Sequence, residues 1–330
     1  MIIDYNSLPL IPCPVCGFEA FTEITRRFDT GRIVCCMDCH HYYLNPSLCA
    51  AQLDAIYDTY FVATSDAEQM GMVDEWFHDP RGPYQHALNA IEHAGGFHEK
   101  RVLEVGCGPG RFLYECGQRG ATTLIGIDRS PAAVRLAKQC FDLDLVPKTL
   151  EEVVDEGSFP PGSFDLIFAF EIIEHVRNPL EFVQSLSALL APDGLLFVST
   201  PNFHLFTLMG SAAPAVRQWP EHLHFFDPSS LSRCLERGSC QVVSCTTLNP
   251  MSHGDRQKQV LSVNPVIARL WGLARRVRWL VRWKDNVFER LTRRPQEADT
   301  QRLTGTCVLG VAGKSVSSAG SRRIVSGLAT

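Results

Sequence analysis

The sequence predicts an α/β fold: a doubly wound, mostly parallel sheet with helices on both faces, preceded by a small cysteine-rich leader and a helical cap. Three observations carry that expectation. Apolar strand-like runs alternate with helix-like segments from about residue 100 onward. The first of these strands runs straight into the glycine-dense turn "VGCGPG", Val105 to Gly110. Two C-x-x-C pairs stand near the N-terminus, apart from the other cysteines.

Bulk properties narrow the classes. The chain has 330 residues, enough for one large domain or two smaller ones. Apolar residues make up 45% of it and charged residues 20%, as in ordinary globular proteins. A net charge of −5 and a pI of about 6.1 exclude binding of nucleic acid by overall charge, though not by a local patch. No segment offers the ~18 uncharged apolar residues of a membrane span. The opening "MIIDYNSLPLIPCPVC" lacks the basic-then-apolar order of a signal peptide. Thirteen cysteines is an odd number, and most are scattered through apolar runs. The expectation is reduced thiols in the cytoplasm with one local site, not a disulfide framework.

The leader spans residues 1–46. Cys13 and Cys16 form one pair, Cys36 and Cys39 the other, about twenty residues on, which is zinc-ribbon spacing. Each pair places two thiolates on one tight knuckle, and two knuckles complete a tetrahedron. Gly17 supplies the positive φ that turns backbone N–H groups toward sulfur. After Cys39 a glycine would be usual, but His40 stands there, so Cys35 and His40 are spare ligand candidates and the register is open by one residue. So few residues, under about 50, make a small core, and a metal staple is physically sensible. The leader is poor in Lys and Arg, which favours capping or substrate shaping over nucleic-acid contact.

Residues 47–99 read as a helical cap, with apolar residues at helical spacing in "SLCAAQLDAIYDTYF" and a Gly95-Gly96 stop after "PYQHALNAIEHA". Strand "RVLEVGC" then leads to helix "GRFLYECGQRG". Strand "TLIGID" leads to helix "SPAAVRLAKQCF", with Ser130 as N-cap and Pro131 in the first turn. A short strand "LDLV" follows, then strand "FDLIFAFEII", helix "NPLEFVQSLSALLAPDG" and strand "GLLFVSTPN". Farther on, "SSLSRCLERGS" reads as a helix with a serine N-cap, "CQVVSCTTL" as a strand and "TGTCVLGVAGKS" as the last strand. The tail 315–330, rich in Ser and Gly, is expected to be disordered.

The glycines mark a nucleotide-type site at the carboxyl end of the first strand. Asp128 ends the next strand about twenty residues later, where a carboxylate can accept both ribose hydroxyls. Glu104 precedes the glycines. A carboxylate there would repel a pyrophosphate but suits a ligand that carries an ammonium group.

Together, "VLEVGCGPGRFL", "GIDRSP", "FDLIFAFEIIEHVRNPLEF" and "LLAPDGLLFVSTPN" resemble class I S-adenosylmethionine-dependent methyltransferases, over roughly residues 100–314. The resemblance implies a seven-stranded, mostly parallel Rossmann-like sheet and S-adenosylmethionine as cofactor. By that resemblance Gly106, Cys107, Gly108 and Gly110 line its methionine part, Glu104 sits near its amino group and Asp128 holds the ribose. Arg129 occupies the place where an apolar residue often meets adenine, and a guanidinium plane can stack there too. Phe170, closing strand four, borders the same pocket. The leader resembles the zinc-ribbon segment found on many members of this superfamily.

At the end of strand four, Glu171, Glu174 and His175 lie on a turn entering a helix, where residues three and four apart share a face. Two carboxylates and an imidazole suit a divalent cation, more like magnesium or manganese than structural zinc. The spacing resembles E-x-x-E-H in ubiquinone-pathway O-methyltransferases and small-RNA 2′-O-methyltransferases. The plainer reading is a Glu–His pair that braces the cofactor pocket. His222 and His224 in "PEHLHFFDP" are two apart, so an extended segment would turn both to one side. His175, His222 and His224 are thus the candidate catalytic bases, and either of the latter two is a candidate further ligand.

Methyl transfer needs alignment of the acceptor in line with the S–CH3 bond and, for a hydroxyl, removal of its proton. The expected reaction is therefore O-methylation of a small molecule, glycan or lipid-linked acceptor, with nitrogen and carbon acceptors left open. RNA methylation is the alternative. An insertion at about 262–296 reads as a basic amphipathic helix. It suits a lid, peripheral contact with an anionic membrane surface, or nucleic acid.

Overall fold

The computed structural model describes residues 4–26, 31–62, 66–204, 221–250 and 305–314. The basic insertion and the tail both lie outside the described residues. The leader contributes three short strands, β1 (Phe21–Arg26), β2 (Arg32–Cys36) and β3 (Tyr42–Leu44). Residues 47–99 hold helices α1 (Ala50–Val62), α2 (Asp66–His78) and α3 (Pro83–His93). Helix α3 stops where expected, and Gly95 and Gly96 both follow it at positive φ.

The alternating region runs β4 (Arg101–Val105), α4 (Arg111–Gln118), β5 (Thr123–Ile127), α5 (Pro131–Phe141), α6 (Leu150–Asp155) and β6 (Phe164–Phe170). It continues through α7 (Pro179–Leu189), β7 (Leu190–Pro201), β8 (His224–Phe225), α8 (Pro228–Arg237), β9 (Cys240–Pro250) and β10 (Gly305–Lys314). The main sheet has strand order β5-β4-β6-β7-β10-β9. The first four are parallel, and β10 is antiparallel to both neighbours. Six of the seven residues of β6 are buried, as a parallel strand covered on both faces requires.

Three local readings change. The "LDLV" strand shrinks to a single parallel bridge between Ile127 and Val146. Pro147 follows, and with no N–H it cannot extend that ladder. Thr149 then caps α6 in a reciprocal box with Glu152. Helix α7 ends at Leu189 instead of running through "APDG", where Pro192 breaks a helix and Gly194 disfavours one, and both fall inside β7. The N-cap of α8 is Asp227, not a serine; Pro228 takes the first turn and Ser230 completes the capping box. Ser130, by contrast, caps α5 as read, accepting from the Ala133 N–H.

The leader is not a separate bead. Its sheet has the order β1-β2-β3-β8, so its fourth strand comes from the far side of β7. Tyr42 pairs with Phe225 and Tyr43 with His224, antiparallel. Tyr43, Phe203, Phe225 and Phe226 are fully or nearly fully buried along this seam.

Candidate functional site

The glycine turn is tied to β5 by the Gly106 and Cys107 N–H groups, which donate to Ile127 O at 2.8 and 3.2 Å. Gly106, Gly108 and Gly110 all have positive φ, at 68°, 51° and 78°. Their missing side chains serve different ends. A Cβ on Gly106 would lie 2.1 Å from Ile172 Cδ1, and one on Gly110 would lie 2.9 Å from Leu143 Cδ1. Those two glycines let neighbouring side chains close onto the turn. A Cβ on Gly108 would meet no atom within 4 Å. Its bare peptide faces open space, the approach a ligand needs.

Asp128 closes this end. Its Oδ2 accepts from the Gly108 N–H and its Oδ1 from the Ser130 N–H, both at 2.8 Å. Each carboxylate oxygen keeps a second lone pair, enough for two ribose hydroxyls. Burial raises its pKa, while those two N–H groups pull it back. Glu104 is 3% exposed, and its Oε2 has no hydrogen-bond partner. Burial, with the Asp128 charge adding to it, pushes the Glu104 carboxyl up to about 8. An orphaned acid beside an open peptide fits a ligand's ammonium group. Cys107 is buried at the turn.

Phe170 is 4% exposed, and Tyr84 of α3 meets it edge-on with ring centroids 4.8 Å apart. Burial, followed by the charges of Glu104 and Glu171, raises the Tyr84 phenol. This residue of the helical segment before β4 thus packs on the end of β6 and on Phe112 of α4, and no motif in the sequence announces it. Arg129 forms an ion pair with Asp54 of α1 at 2.7 Å.

The turn after β6 brings together part of the set read from sequence. Glu174, His175 and His222 each offer a ligand atom within 4.8 Å of the others. The His175 and His222 rings meet edge to face at 4.7 Å, and His175 Nε2 lies 3.7 Å from Glu174 Oε1. Neither Glu174 oxygen has a hydrogen-bond partner, although the residue is 1% exposed. Burial, then the charges of Glu171 and Glu221, raises its pKa. Burial lowers His175 to about 4, which leaves the imidazole neutral at pH 7.

Glu171 stands apart from that trio. Its backbone is left-handed at φ 53°, and its Oε1 accepts from Ser199 Oγ at 2.7 Å and Cys307 Sγ at 3.4 Å. With Glu171 so engaged, the converging set is one carboxylate and two imidazoles. That composition suits zinc or iron better than the oxygen-rich magnesium or manganese site read from sequence. His222 and His224 also part company: His224 Nδ1 lies 3.1 Å from His41 Nε2, in the leader.

At the leader, Cys13 Sγ is 3.5 Å from Cys39 Sγ, and Cys16 Sγ is 3.5 Å from Cys36 Sγ. All four sulfurs lie within 4.8 Å of one another, so Cys36 rather than Cys35 completes the set. A zinc tetrahedron with ~2.3 Å bonds has edges of about 3.8 Å, so the four cysteines fit that ion. Both knuckles end in a left-handed residue, Gly17 at φ 76° and His40 at φ 57°.

A doubly wound sheet, an open glycine turn and a ribose-ready carboxylate define a nucleoside-binding α/β enzyme fold. The comparisons specify the family. The family model for the methyltransferase domain matches residues 76–244, about half the chain. The ubiquinone biosynthesis O-methyltransferase of Actinobacillus pleuropneumoniae serotype 5b is 31% identical over 205 residues, covering 55% of this chain and 86% of that protein. The mitochondrial ubiquinone biosynthesis O-methyltransferase of Arabidopsis thaliana is 29% identical over 235 residues, covering 60% and 70%. Among solved structures, the Burkholderia thailandensis 1,6-didemethyltoxoflavin-N1-methyltransferase with bound S-adenosylhomocysteine aligns at a TM-score of 0.48 and 14% identity, covering 85% of this chain and 98% of that one. The chain belongs to the class I S-adenosylmethionine-dependent methyltransferases. Its cofactor is S-adenosylmethionine, and its reaction is methyl transfer. No helix among the described residues is long and apolar enough to cross a membrane.

Proposed function

We propose that this methyltransferase acts on a hydroxyl of a small acceptor of the quinone-precursor kind. One observation carries the reading: Glu174, His175 and His222 converge at the carboxyl end of β6, where Ile172 joins their turn to the glycine loop. The acceptor oxygen attacks the methyl carbon in line, the S–CH3 bonding pair returns to sulfur, and S-adenosylhomocysteine leaves. The hydroxyl proton passes to an imidazole nitrogen of His175 or His222, and the Glu174 carboxylate stabilises the imidazolium. His224 belongs to the support of this site, not to its chemistry. On the cofactor side, Glu104 takes the amino group, Asp128 the ribose, and Gly106, Cys107, Gly108 and Gly110 the methionine part. Phe170 and Arg129 border the same pocket.

Alternatively, Glu174, His175 and His222 would hold a divalent cation, their imidazole nitrogens then acting as ligands in place of the base role. When bound, that ion lowers the pKa of the acceptor hydroxyl. Cys13, Cys16, Cys36 and Cys39 would hold a structural zinc. The curated relatives, both named for ubiquinone biosynthesis, support a small-molecule acceptor over the RNA alternative.

The test is incubation with methyl-labelled cofactor and a host-cell extract, fractionated into small molecules, lipids, glycans and RNA. Label on oxygen in the small-molecule or lipid fraction is expected. Label confined to RNA overturns the reading.

A further inference from the structure

The segment that carries His222 is clamped between two parts of the chain. On one side the Leu223 and His224 N–H groups donate to Glu174 O at 2.8 and 3.1 Å. On the other, the Leu44 N–H of the leader donates to Leu223 O at 2.8 Å, and β3 pairs with β8. Farther along, the Phe203 N–H donates to Phe226 O at 2.7 Å. Backbone from the cysteine leader is thus one residue away from His222.

A side-chain contact runs through the same clamp. His41 and His224 are 1% and 2% exposed, and His41 Nε2 meets His224 Nδ1 at 3.1 Å. The outer nitrogens of the pair, His224 Nε2 and His41 Nδ1, are buried without a hydrogen-bond partner among the described residues, so each ring's one hydrogen bond is to the other. Either ring can carry the shared proton, and in both tautomers the His41 Nε2–His224 Nδ1 hydrogen bond joins the leader to β8. The His41 ring is itself fixed, stacked parallel to Tyr43 at 6.0 Å and packed on Phe226 at 4.8 Å. Cys39, two residues before it, anchors this stretch to the sulfur cluster.

We propose that His41 is a positioning residue for methyl transfer: through His224 it fixes β8, and so sets the His222 imidazole against His175. The leader thereby completes the acceptor end of the site, although none of its residues belongs to the Glu174, His175 and His222 set. This rests on the role given to His222 above.

The experiment uses the full chain with three substitutions. His41→Phe keeps the ring stacking and removes the nitrogen that meets His224. His41→Gln places an amide, which can donate or accept, at nearly the same reach, and His41→Asn falls short of it. A buried ring nitrogen left unpaired corresponds to roughly a tenfold effect. His41→Phe and His41→Asn are expected to lower kcat about tenfold, with S-adenosylhomocysteine affinity and the KM for S-adenosylmethionine within twofold of wild type. His41→Gln is expected to recover most of the rate. Imidazole nitrogen NMR should show the His222 signals displaced in the Phe and Asn variants and restored in Gln.

Unmoved His222 signals in folded His41→Asn overturn the proposal. So does a parallel loss of homocysteine-product affinity and rate, which marks general damage. Should His41→Phe not fold, the Gln and Asn pair decides alone. His222→Ala separates the two claims. Full turnover there refutes the catalytic reading of His222, while the NMR signals in the His41 variants still judge the positioning.

Discussion

The two ends of the proposed site, one for the cofactor and one for the acceptor, are built in opposite ways. The cofactor end comes from one continuous βαβ stretch, Glu104 to Ser130, whose turn is anchored to the next strand by backbone hydrogen bonds. The acceptor end is assembled from pieces distant in sequence: Glu171 to His175 after β6, Ser199 on β7, His222 beyond it, and His41 from the leader. The first kind of site is fixed by local geometry. The second depends on how separate layers pack, so it tolerates change in chemistry while the cofactor pocket stays the same.

That division makes the kinetic parameters separable, and the largest expected effect lies at the assembled end. Glu174→Gln removes the carboxylate facing His175 while keeping its shape. Turnover should fall about 10²- to 10⁴-fold, the range of a lost acid–base function. S-adenosylhomocysteine affinity, read by calorimetry, should stay within twofold. A matched loss of affinity would erase the distinction between the two ends.

Asp128→Ala tests the contiguous end and should do the reverse. It removes the acceptor for the Gly108 and Ser130 N–H groups, together with the proposed ribose contact. Charge-assisted hydrogen bonds of this kind correspond to about a hundredfold in affinity. The rate at saturating cofactor should change far less. Equal affinity in the variant would remove Asp128 from the pocket.

Glu104 sharpens the comparison through pH. Its folded value of about 8 lies above that of an unfolded glutamate, so the folded apo protein holds a proton that the unfolded chain has released at pH 7. Apo stability contributed by this group therefore falls as pH rises from about 4.5 toward about 8. A ligand ammonium favours the ionised carboxylate, so binding at pH 7 should release close to one proton. Calorimetry in buffers of different ionisation enthalpy reads that number directly. Glu104→Gln should abolish the release.

The same contrast explains what the sequence made legible. The glycine turn, Asp128 and the parallel order of strands could be read because their geometry is set within about thirty residues, by spacing alone. The Glu174, His175 and His222 set was legible as residue types. Which members converge was not, because strain at Glu171 and its capture by Ser199 depend on β7. His222 and His224 looked equivalent from alternation, yet β3 pairing gives His224 a partner in the leader. The bridge at Val146 was overread as a strand because apolar alternation carries no warning that Pro147 ends its ladder. Tyr84 left no trace, since a tyrosine on an amphipathic helix looks like any core-facing aromatic.

The smallest effect sits in the leader, at a position where sequence and geometry disagree. The first cysteine knuckle ends in Gly17, the second in His40, and both backbones are left-handed. Glycine adopts that conformation freely, whereas a residue with a Cβ is strained there by roughly 1–2 kcal/mol. Glycine also loses more backbone entropy on folding, which offsets part of the gain. His40 is exposed, and its neighbour His41, not His40 itself, makes the buried contact with His224. His40→Gly should therefore raise stability by up to about 1 kcal/mol, read as a higher denaturation midpoint with an unchanged slope. Turnover should not change. A loss of stability would mean that the His40 side chain supports the knuckle, and would extend the acceptor end one residue closer to the sulfur cluster.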